Sequence, residues 1–378
     1  MALRENDIQQ AVINIKVLGV GGGGNNVLRR LSKEKFLDVE LIAINSDMKQ
    51  LGLTEKDGVK VVPIGVSMTK GYGTGGNVEI GEQAAIAEEQ EIKKMLIGAD
   101  MVFITAGMGG GFGTGAAPVI ARIARDMGIL SLGIVTEPFD FEGRRKVQTA
   151  KDGIQRMQQE MDSLIVVKNN NLKELPEFKQ ISLKYAFRFA DEALNQSIRC
   201  IVEMIRTTGY VNVDFADVTT IFKQGTTSDA ILGIGEADTP LAAVMEAIDN
   251  PLVDRPISGA RGLIVNFTST TDLAMSAVTD ATVYLQENTH PDANIIFGLV
   301  EDESMGEKVR ATVVATDFED SSSPSQAPGI KPGVTSRPGI EKTQLEEATS
   351  IPKWMTSAPS SEPMQVFKFN LGNASKDE

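Results

Sequence analysis

Cysteine and histidine are almost absent from this sequence, whose 378 residues contain one of each, Cys200 and His290. A structural zinc site needs several thiolate or imidazole ligands and a disulfide needs two cysteines, so one chain can form neither. A Ser-His-Asp triad would have to use His290, which follows a polar stretch and precedes Pro291. We therefore expect neither a disulfide-stabilised fold nor a hydrolase that uses such a triad.

Long apolar runs and an excess of basic residues are missing too. No stretch approaches the roughly 20 apolar residues of a membrane span, and the N-terminus lacks the apolar core of a signal peptide. Lys and Arg number 37 against 51 Asp and Glu, which gives a net charge of -14. A nucleic-acid surface would need a basic stripe. We expect a cytoplasmic protein without nucleic-acid binding or direct membrane insertion.

Glycine, in contrast, is abundant, and six glycines lie within residues 107–115. A short apolar run at 101–105 precedes them like a buried strand, and apolar residues at helical spacing follow at 119–125. The glycines therefore fill a strand-to-helix turn whose bare backbone N–H groups a ligand can approach closely. With the positive N-terminal end of the next helix, this pattern is typical of a phosphate site. A turn kept small only for packing would need one or two glycines.

Two further glycine-rich loops follow predicted strands. The first satisfies Gly-x-Gly-x-x-Gly through Gly19, Gly21 and Gly24, which is a weak signal on its own. It would also suit a dinucleotide site with Asp47 as the ribose acid. The second, at residues 69–77, precedes an acidic helix over 79–96. No Gly-x-x-x-x-Gly-Lys-Ser/Thr motif is present, so backbone groups and Asn side chains would hold the phosphates.

The order of predicted elements indicates an α/β fold. Strands are predicted at residues 13–17, 41–44, 61–64, 101–105, 129–135 and 163–167. Their alternation with helices implies a parallel sheet covered on both faces, with ligands at the strand ends that carry the glycine loops. One long amphipathic helix follows over 182–208. A second α/β unit is predicted from helices at 241–248 and 273–285 and strands at 263–267, 295–298 and 309–314.

The stretch at 106–118 resembles the signature loop of the tubulin/FtsZ family. Its Gly-Gly-Gly-Phe-Gly-Thr-Gly is similar to that loop, and its flanks, Ala-Gly-Met and Ala-Ala-Pro, are similar to those of bacterial FtsZ proteins. Phe112 departs from the pattern, because the family normally has Thr there. Further motifs similar to the family stand in the right order across residues 13–317, among them Pro-Phe-x-Phe-Glu-Gly at 138–143 and Asn-Val-Asp-Phe-Ala-Asp-Val at 212–218.

The resemblance implies a domain organisation. It places a Rossmann-like, parallel-sheet GTP-binding domain at residues 11–181, a central helix at 182–209 and a second α/β domain, the C-terminal activation domain, at 210–317. Residues 318–378 would be a disordered tail. From about residue 319, Ser, Pro, Gly and Thr dominate the sequence, and such a composition cannot bury enough apolar surface to order itself.

The resemblance also implies GTP or GDP with Mg²⁺ as cofactors, although it assigns no metal ligand. The implied nucleotide-binding residues are Gly21, Gly22, Gly23, Gly24, Asn25, Asn26, Asn45, Asp47, Gly71, Gly73, Asn77, Gly109, Gly110, Gly111, Phe112, Gly113, Thr114, Gly115, Glu142, Lys146, Asn169 and Asp191. Glu142 would bind the ribose, and Lys146 stands where the family usually has Arg. Asp191 would accept both N–H groups of guanine, although an exposed mid-helix acid is the plain alternative.

Three residues at the start of the second implied domain are candidate catalytic residues. In the family, the loop that contains Asn212, Asp214 and Asp217 completes the active site of the neighbouring subunit. From the residues alone, Asp214 followed by Asp217 is also a serviceable helix N-cap with an acid in the first turn. Both interpretations can hold, because carboxylates three residues apart at a helix start share a face and could orient water.

The function that the resemblance implies is that of a GTP-hydrolysing, self-assembling cytoskeletal protein at the division site, whose head-to-tail filaments act in cell division and septation. Its tail would dock membrane tethers or division proteins, through residues 351–355 or 366–369. Three alternatives stay open at this point. The chain could be a divergent paralogue that polymerises but hydrolyses GTP poorly, as Phe112 and Lys146 suggest. It could be an NAD-type oxidoreductase, or chiefly an adaptor that acts through its tail.

Overall fold

The computed structural model describes residues 13–33, 38–174, 182–206, 211, 213–225, 227–250, 253–270 and 273–318. Asn212, the predicted end of the long helix and residues 319–378, with both candidate docking peptides, lie outside these residues. Within the described part, ten strands form one sheet in the order β3-β2-β1-β4-β5-β6-β7-β10-β8-β9. The strands are β1 (Ile15–Val20), β2 (Glu40–Asn45), β3 (Lys60–Pro63), β4 (Met101–Gly107), β5 (Leu130–Glu137), β6 (Ser163–Lys168), β7 (Asp229–Ala237), β8 (Ala260–Ser269), β9 (Asn294–Glu301) and β10 (Val309–Phe318).

Eleven α-helices connect these strands in the part of the chain that the structure describes. They are α1 (Gly21–Leu31), α2 (Met48–Lys56), α3 (Val66–Thr69), α4 (Val78–Ala87), α5 (Glu89–Leu96), α6 (Gly111–Asp126), α7 (Arg144–Gln158), α8 (Leu183–Arg206), α9 (Phe215–Lys223), α10 (Pro240–Ile248) and α11 (Met275–Asn288). Short 3₁₀ turns lie at Asp140–Glu142, Asn169–Glu174 and Glu303–Met305. Among these helices, none combines the length and apolarity needed to cross a membrane.

The first six strands are all parallel and run in the order 3-2-1-4-5-6, so the direction of winding reverses between β1 and β4. That order is the doubly wound one, and the carboxyl ends of the two strands at the reversal form its ligand-binding crevice. The α/β architecture predicted from the sequence is confirmed. The proposed domain boundaries stay a prediction, because β6 and β7 pair and join both halves into one sheet.

Side chains of the parallel strands point alternately to the two faces of the sheet and pack into a separate core on each face. On β1, Ile15 and Val17 belong to the core that α1 and α8 cover, whereas Leu18 and Val20 belong to the core beneath α4, α5 and α6. Both faces are therefore buried, and the strands read as nearly continuous apolar runs. A third core lies in the second half, between β8, β10 and helices α10 and α11.

Several elements differ from the sequence prediction for identifiable reasons. The acidic helix predicted over 79–96 is divided at Glu88 into α4 and α5. Strand β7 was missed because two of its buried positions are glycine. Gly233 and Gly235 lie so close to Ala243 and Ala247 of α10 that a side chain would collide with that helix. These two positions therefore carry glycine instead of the apolar residues expected in a buried strand. The reason is the packing of α10, which cannot be seen in the sequence around β7.

Candidate functional site

Two helices begin at the point where the winding of the sheet reverses. Helix α1 starts at Gly21 directly after β1, and α6 starts at Gly111, shortly after β4 ends. Their first turns touch, since a Cβ on Gly21 would lie 2.9 Å from the backbone nitrogen of Gly113. Gly21 also has a φ of 73°, in the left-handed region that favours glycine. Two helix N-termini with unpaired N–H groups therefore adjoin, which is an arrangement that binds anions.

The predicted boundary between glycine loop and helix is wrong in both places. Residues 21–24 form the first turn of α1, and Gly113 and Gly115 lie inside α6 rather than in a loop before it. Close packing explains part of the glycine content, because a Cβ on Gly24 would overlap the carbonyl oxygen of Thr105. One on Gly115 would overlap that of Val78. The packing interpretation therefore accounts for more of these glycines than the sequence suggested.

A cleft of about 460 Å³ opens at these helix starts. Most of the residues predicted to bind a nucleotide line it: Gly21, Gly22, Gly23, Asn26, Asn45, Asp47, Gly73, Gly110, Gly111, Phe112, Gly113, Glu142, Lys146, Asn169 and Asp191. All three glycine-rich loops and residues more than 160 positions apart in sequence thus meet in one concavity. Its volume lies within the range of pockets for small molecules and cofactors.

Seven predicted residues do not line this cleft; they are Gly24, Asn25, Gly71, Asn77, Gly109, Thr114 and Gly115. Asn25 is fully buried, and with its amide oriented to satisfy its neighbours it donates to the carbonyls of Gly19 and Gly21, at 2.8 and 3.0 Å. Thr114 Oγ1 accepts from the Gly109 N–H at 2.9 Å. Asn77 caps α4, where its side chain accepts from Glu79 N at 2.9 Å. These side chains hold the walls of the site together.

At one end of the cleft, α8 places Asp191 beside Arg30 of α1. Arg30 Nη2 donates to Asp191 Oδ2 at 3.3 Å, and the Asp191 side chain keeps 20% of its surface exposed. Burial raises the pKa of Asp191 from its ordinary 3.8 to about 6, against the opposing effect of the Arg30 guanidinium. The carboxylate is therefore ionised at pH 7 and able to accept hydrogen bonds from a ligand.

Phe187 and Asn169 also line the cleft. Phe187 is 38% exposed, and its ring packs edge-on against Phe139 at a centroid distance of 5.6 Å. Asn169 is 4% exposed, and its Oδ1 has no hydrogen-bond partner among the described residues. A buried acceptor without a partner beside a partly exposed ring suits a flat ligand with polar edges.

The side of the cleft near β5 carries an ion pair. Lys146 Nζ contacts Glu142 Oε2 across one turn at the start of α7, and Glu142 Oε1 accepts from Phe139 N at 2.9 Å. The Lys146 charge is therefore already compensated by Glu142. As a point charge on a flexible stem, Lys146 also lacks the fork of donors that an arginine would present.

Asn45 and Asp47 combine a capping role with a place in the cleft. Asn45 Oδ1 accepts from Ser46 N at 2.9 Å, and Asp47 Oδ1 accepts from Lys49 N at 2.9 Å at the start of α2. Both residues line the cleft as well. The two interpretations drawn from the sequence, turn capping and ligand binding, are thus compatible in one geometry.

The predicted catalytic acids stand apart from this cleft. Asp214 is the N-cap of α9, and its Oδ1 accepts from Asp217 N at 2.8 Å, so the capping interpretation is confirmed. Neither acid lines the cleft of its own chain. Within the described ranges, no group of three or more His, Cys, Asp or Glu side chains could hold a metal ion. A role of the acids in catalysis would need a second protomer.

Comparisons with known proteins agree with this geometry. A family model described as the GTPase domain of the Tubulin/FtsZ family matches residues 14–177, and one for the C-terminal domain of the FtsZ family matches residues 228–319. An FtsZ dimer structure from M. jannaschii is 36% identical, covers 87% of this chain and 100% of its own, and has a TM-score of 0.76. The chain belongs to the tubulin/FtsZ family.

Two further solved structures are similar to this chain. A mutant FtsZ from M. jannaschii is 39% identical, covers 83% of this chain and 93% of its own, and has a TM-score of 0.76. CetZ2 from Haloferax volcanii, described as a GTPgS-bound protofilament, is 20% identical, covers 82% of this chain and 95% of its own, and has a TM-score of 0.70. That last likeness concerns the fold alone. The chain is a tubulin-like cytoskeletal protein of a GTP-binding family, and a bacterial origin stays a prediction.

Membership of the tubulin/FtsZ family makes Phe112 the main anomaly of the cleft. Phe112 is 5% exposed and belongs to the buried cluster that contains Ala84 and Ala85 of α4. The ring is therefore part of the core beneath α4, α5 and α6, although residue 112 also lines the cleft.

Several lining residues were missed by sequence reasoning. Phe187 could have been found, since it lies one helical turn before Asp191 and so shares its face of α8. Tyr72, Thr74 and Gly75 belong to the glycine loop at residues 69–77, in which only Gly71, Gly73 and Asn77 were predicted to bind. Other lining residues, Gly107, Met108, Thr136, Pro138 and Ala190, carried no signal of their own, because they reach the cleft through the sheet and helix packing.

Proposed function

We propose that the protein binds GTP in this cleft, assembles head to tail, and hydrolyses GTP between neighbouring subunits during cell division. The observation that carries the proposal is that Asp214 and Asp217 do not line the cleft of their own chain. A second protomer can bring its acid pair to the cleft by stacking head to tail. Repeated contacts of that kind, which do not close on themselves, produce a filament.

Within one protomer, each part of GTP has a matching group. The N–H groups at the starts of α1 and α6 would hold the phosphates. The Asp191 carboxylate would accept both N–H groups of the guanine edge, which adenine cannot supply. Phe187 would pack against the base, and the Glu142–Lys146 pair would lie near the ribose and phosphates. Discrimination would then rest on Asp191 and affinity mainly on the backbone donors.

Catalysis in this proposal is a matter of position and charge. Mg²⁺ would be held by phosphate oxygens and water, since Mg²⁺ commonly keeps several waters and needs few protein ligands. When bound, it would neutralise charge on the phosphates. Asp214 and Asp217 of the next protomer would orient the attacking water, and the helix N-termini would stabilise the transferred phosphoryl group. No step requires proton transfer to a histidine.

Sedimentation with and without GTP, with phosphate release measured on the same sample, tests this proposal. We expect GTP-dependent polymer above a threshold protein concentration. Hydrolysis per protomer should rise across that threshold, because each site is completed by a neighbour. A rate per protomer that stays flat while polymer forms would count against a shared site. NAD binding without GTP binding would favour the oxidoreductase alternative.

A paralogue with weak hydrolysis is the second candidate function, and the burial of Phe112 favours it. Phe112 cannot donate the hydroxyl hydrogen bond that a threonine could give to the terminal phosphate. Such a bond to a charged group contributes roughly 1.5–3 kcal/mol, or about tenfold to hundredfold in rate if it acts mainly in the transition state. On this view Phe112→Thr raises phosphate release at a fixed amount of polymer. Hydrolysis at the parent rate would argue that Phe112 is an adapted part of the site.

The cellular role rests on the family and on the tail. We propose a place at the division site, with membrane tethers or division proteins bound through residues 351–355 or 366–369. The support is the short apolar character of these peptides within a polar tail, including the single Trp354. Deletion of the tail distinguishes an adaptor role that the tail chiefly carries.

A further inference from the structure

In the described part of the chain, the two edges of the sheet are protected to different degrees. Strand β3, at one edge, has four residues, among them Lys60 and Pro63. A charge and a residue without an N–H group discourage another strand from pairing there. Strand β9, at the other edge, has eight residues and neither charge nor proline between Asn294 and Glu301. An edge strand of that length and apolarity is a place where a further strand can be added.

Only part of the free side of β9 is covered by other described residues. Leu299 N donates to Val211 O at 3.0 Å, in an isolated antiparallel bridge. Because the backbone groups of a strand alternate in direction, Ile295 and Phe297 point their N–H and C=O groups to the same free side as Leu299. No described residue bonds to these groups on that side. The first half of the edge is therefore open, and Phe297 is 42% exposed.

The tail leaves the body beside this open half of β9. Phe318 ends β10 opposite Ala260, the first residue of β8. Strand β8 runs parallel to β9, so the starts of these two strands lie side by side. Two strand spacings, about 10 Å, therefore separate the end of β10 from the open edge. The tail thus begins near the open half of β9 and away from Leu299, which Val211 covers.

The tail contains one segment with the sequence pattern of a strand, at residues 366–371. Its apolar residues recur at every second position, and they are Phe367, Phe369 and Leu371. Such alternation predicts a strand with one apolar side. Residues 319–365 connect the segment to the body, and a random-coil chain of that length would span roughly 35–40 Å. On such a tether, the segment would have an effective concentration near the millimolar range at β9.

We infer that residues 366–371 bind as an additional strand along the open half of β9 in their own chain. The backbone groups of Ile295 and Phe297 would bond to the backbone of the added strand. Ile295 packs against the third core, which α11 helps to form, and Phe297 shares that face of β9. Phe367 and Phe369 would lie beside these two side chains, and apolar neighbours of this kind stabilise a strand pair.

The docked segment has a consequence for the tail as a whole. It would protect the apolar edge of β9 from pairing with other chains, as charged residues and proline do at β3. Of the two candidate docking peptides, residues 366–369 would be held by the body, and residues 351–355 would stay available to a partner. This inference does not depend on nucleotide binding.

Site-resolved hydrogen exchange on the full chain, without nucleotide, tests the inference. The amides of Ile295 and Phe297 in the parent are compared with those in Phe369→Asp, which puts a charge on the apolar side of the segment. We expect both amides to exchange roughly fivefold to tenfold faster in Phe369→Asp, because the tethered segment no longer occupies the edge. Deletion of residues 366–378 should have the same effect. Lys368→Ser, on the polar side of the segment, is the matched control and should resemble the parent.

A dilution series identifies the occupant of the edge. If the chain's own tail binds, protection of the two amides stays constant over about a hundredfold dilution, since a tethered strand binds within one molecule. The amide of Leu299, which is bonded to Val211, should exchange equally in all variants. Fast exchange of Ile295 and Phe297 in the parent would overturn the inference, as would protection that survives deletion of residues 366–378. Protection that is lost on dilution would overturn it in favour of a second copy of the chain.

Discussion

Single residues of the cleft carry chemistry that depends on their burial, and Asp191 shows this most clearly. Its carboxyl is three-quarters or more shielded from water and its pKa is raised to about 6, although Arg30 partly compensates the charge. A bare carboxylate in a partly dry site costs free energy in the absence of ligand. The N–H groups of a guanine would relieve that cost on binding.

Acidification should therefore stabilise the nucleotide-free protein at this one group. The folded-state pKa of Asp191 lies above its ordinary value of 3.8, so its contribution to stability is fully present below about pH 4 and is lost as pH rises through about 6. In urea unfolding from pH 4.5 to 7.5, we expect Asp191→Asn to gain stability relative to the parent as pH rises. The full shift corresponds to an upper limit of about 3 kcal/mol.

The same titration should appear in nucleotide binding, because only the ionised carboxylate accepts both guanine N–H groups. GTP affinity should be constant above about pH 6.5 and fall below pH 6, up to about tenfold per unit. ATP, whose base cannot use the carboxylate in this way, serves as the comparison nucleotide. A stability difference between Asp191→Asn and parent that does not vary with pH would show that the carboxyl titrates normally.

Among the elements, α9 combines helix capping with the proposed chemistry, and substitutions can separate the two. Asp214→Ser keeps an oxygen that can accept the Asp217 N–H, so stability should stay within about 0.5 kcal/mol of the parent. Asp214→Ala removes the cap and should cost about 1 kcal/mol. We expect both variants to bind GTP and to lose hydrolysis in polymer, since both lack the carboxylate. Urea unfolding and phosphate release measure the two effects separately.

A substitution of Asp217 tests the second acid of α9 in the same way. Asp217→Ala should leave GTP binding nearly intact, suppress hydrolysis, and cost at most about 1 kcal/mol through the loss of an acid in the first turn. If Asp214→Ser and Asp217→Ala both turn over GTP at the parent rate, the acids serve α9 alone and the shared site is wrong.

Helix α5 depends on a lysine from a different element. Lys16 of β1 is 6% exposed, and its Nζ donates to the carbonyls of Met95 and Ile97 at 2.7 and 3.0 Å, at the C-terminal end of α5. It also contacts Glu40 Oε2 at 3.1 Å. The cation thus satisfies carbonyls that a helix end leaves unpaired and complements the negative end of the helix dipole.

Replacing Lys16 by Met should destabilise the protein by about 2–4 kcal/mol, because the buried carbonyls lose their donor and Glu40 loses a partner. Lys60→Met is the matched control. Lys60 pairs with the same Glu40 at 2.6 Å, but its side chain is 54% exposed, so its loss should cost less than about 1 kcal/mol. The urea midpoint of each variant measures the difference. Equal effects of the two substitutions would contradict the proposed role of Lys16.

At the scale of the whole molecule, the described fold is complete without the tail. All ten strands of the sheet lie before residue 319. The three large cores consist of residues up to Phe318. We therefore expect deletion of residues 319–378 to spare cooperative unfolding and GTP-driven assembly, and to remove binding of tail partners. Circular dichroism during thermal unfolding and sedimentation with GTP are the measurements.

Two results of the tail deletion would contradict these expectations. Loss of cooperative unfolding in the truncated protein would show that the tail packs on the body. If assembly and GTP binding were retained but had no cellular consequence without the tail, the adaptor alternative would be favoured. The domain boundaries proposed from the sequence are tested by expressing residues 11–181 alone, where a cooperative transition would support an independent unit.

The sequence by itself determined the α/β class, the parallel strands, the long helix α8 and the glycine-rich strand ends. These features are local: apolar period, strand length and glycine spacing are visible within a few residues. Among the elements that it did not reveal are β7 and α7. Strand β7 carries glycines where α10 presses on it, and α7 buries only Ala150, Gly153 and Met157, with Gly153 against Thr114. In both elements, close packing requires glycine at buried positions, so the sequence has fewer of the large apolar residues from which a strand or helix is predicted.

Only the tertiary structure decided how the site is assembled. The meeting of the α1 and α6 N-termini, the pairing of Arg30 with Asp191 and the burial of Phe112 all join residues that are distant in sequence. Such contacts depend on strand order, and strand order follows from the packing of the whole sheet rather than from any local pattern. The sequence thus determined which groups could bind a phosphate, and the packing of the folded chain decided which of them line one cleft.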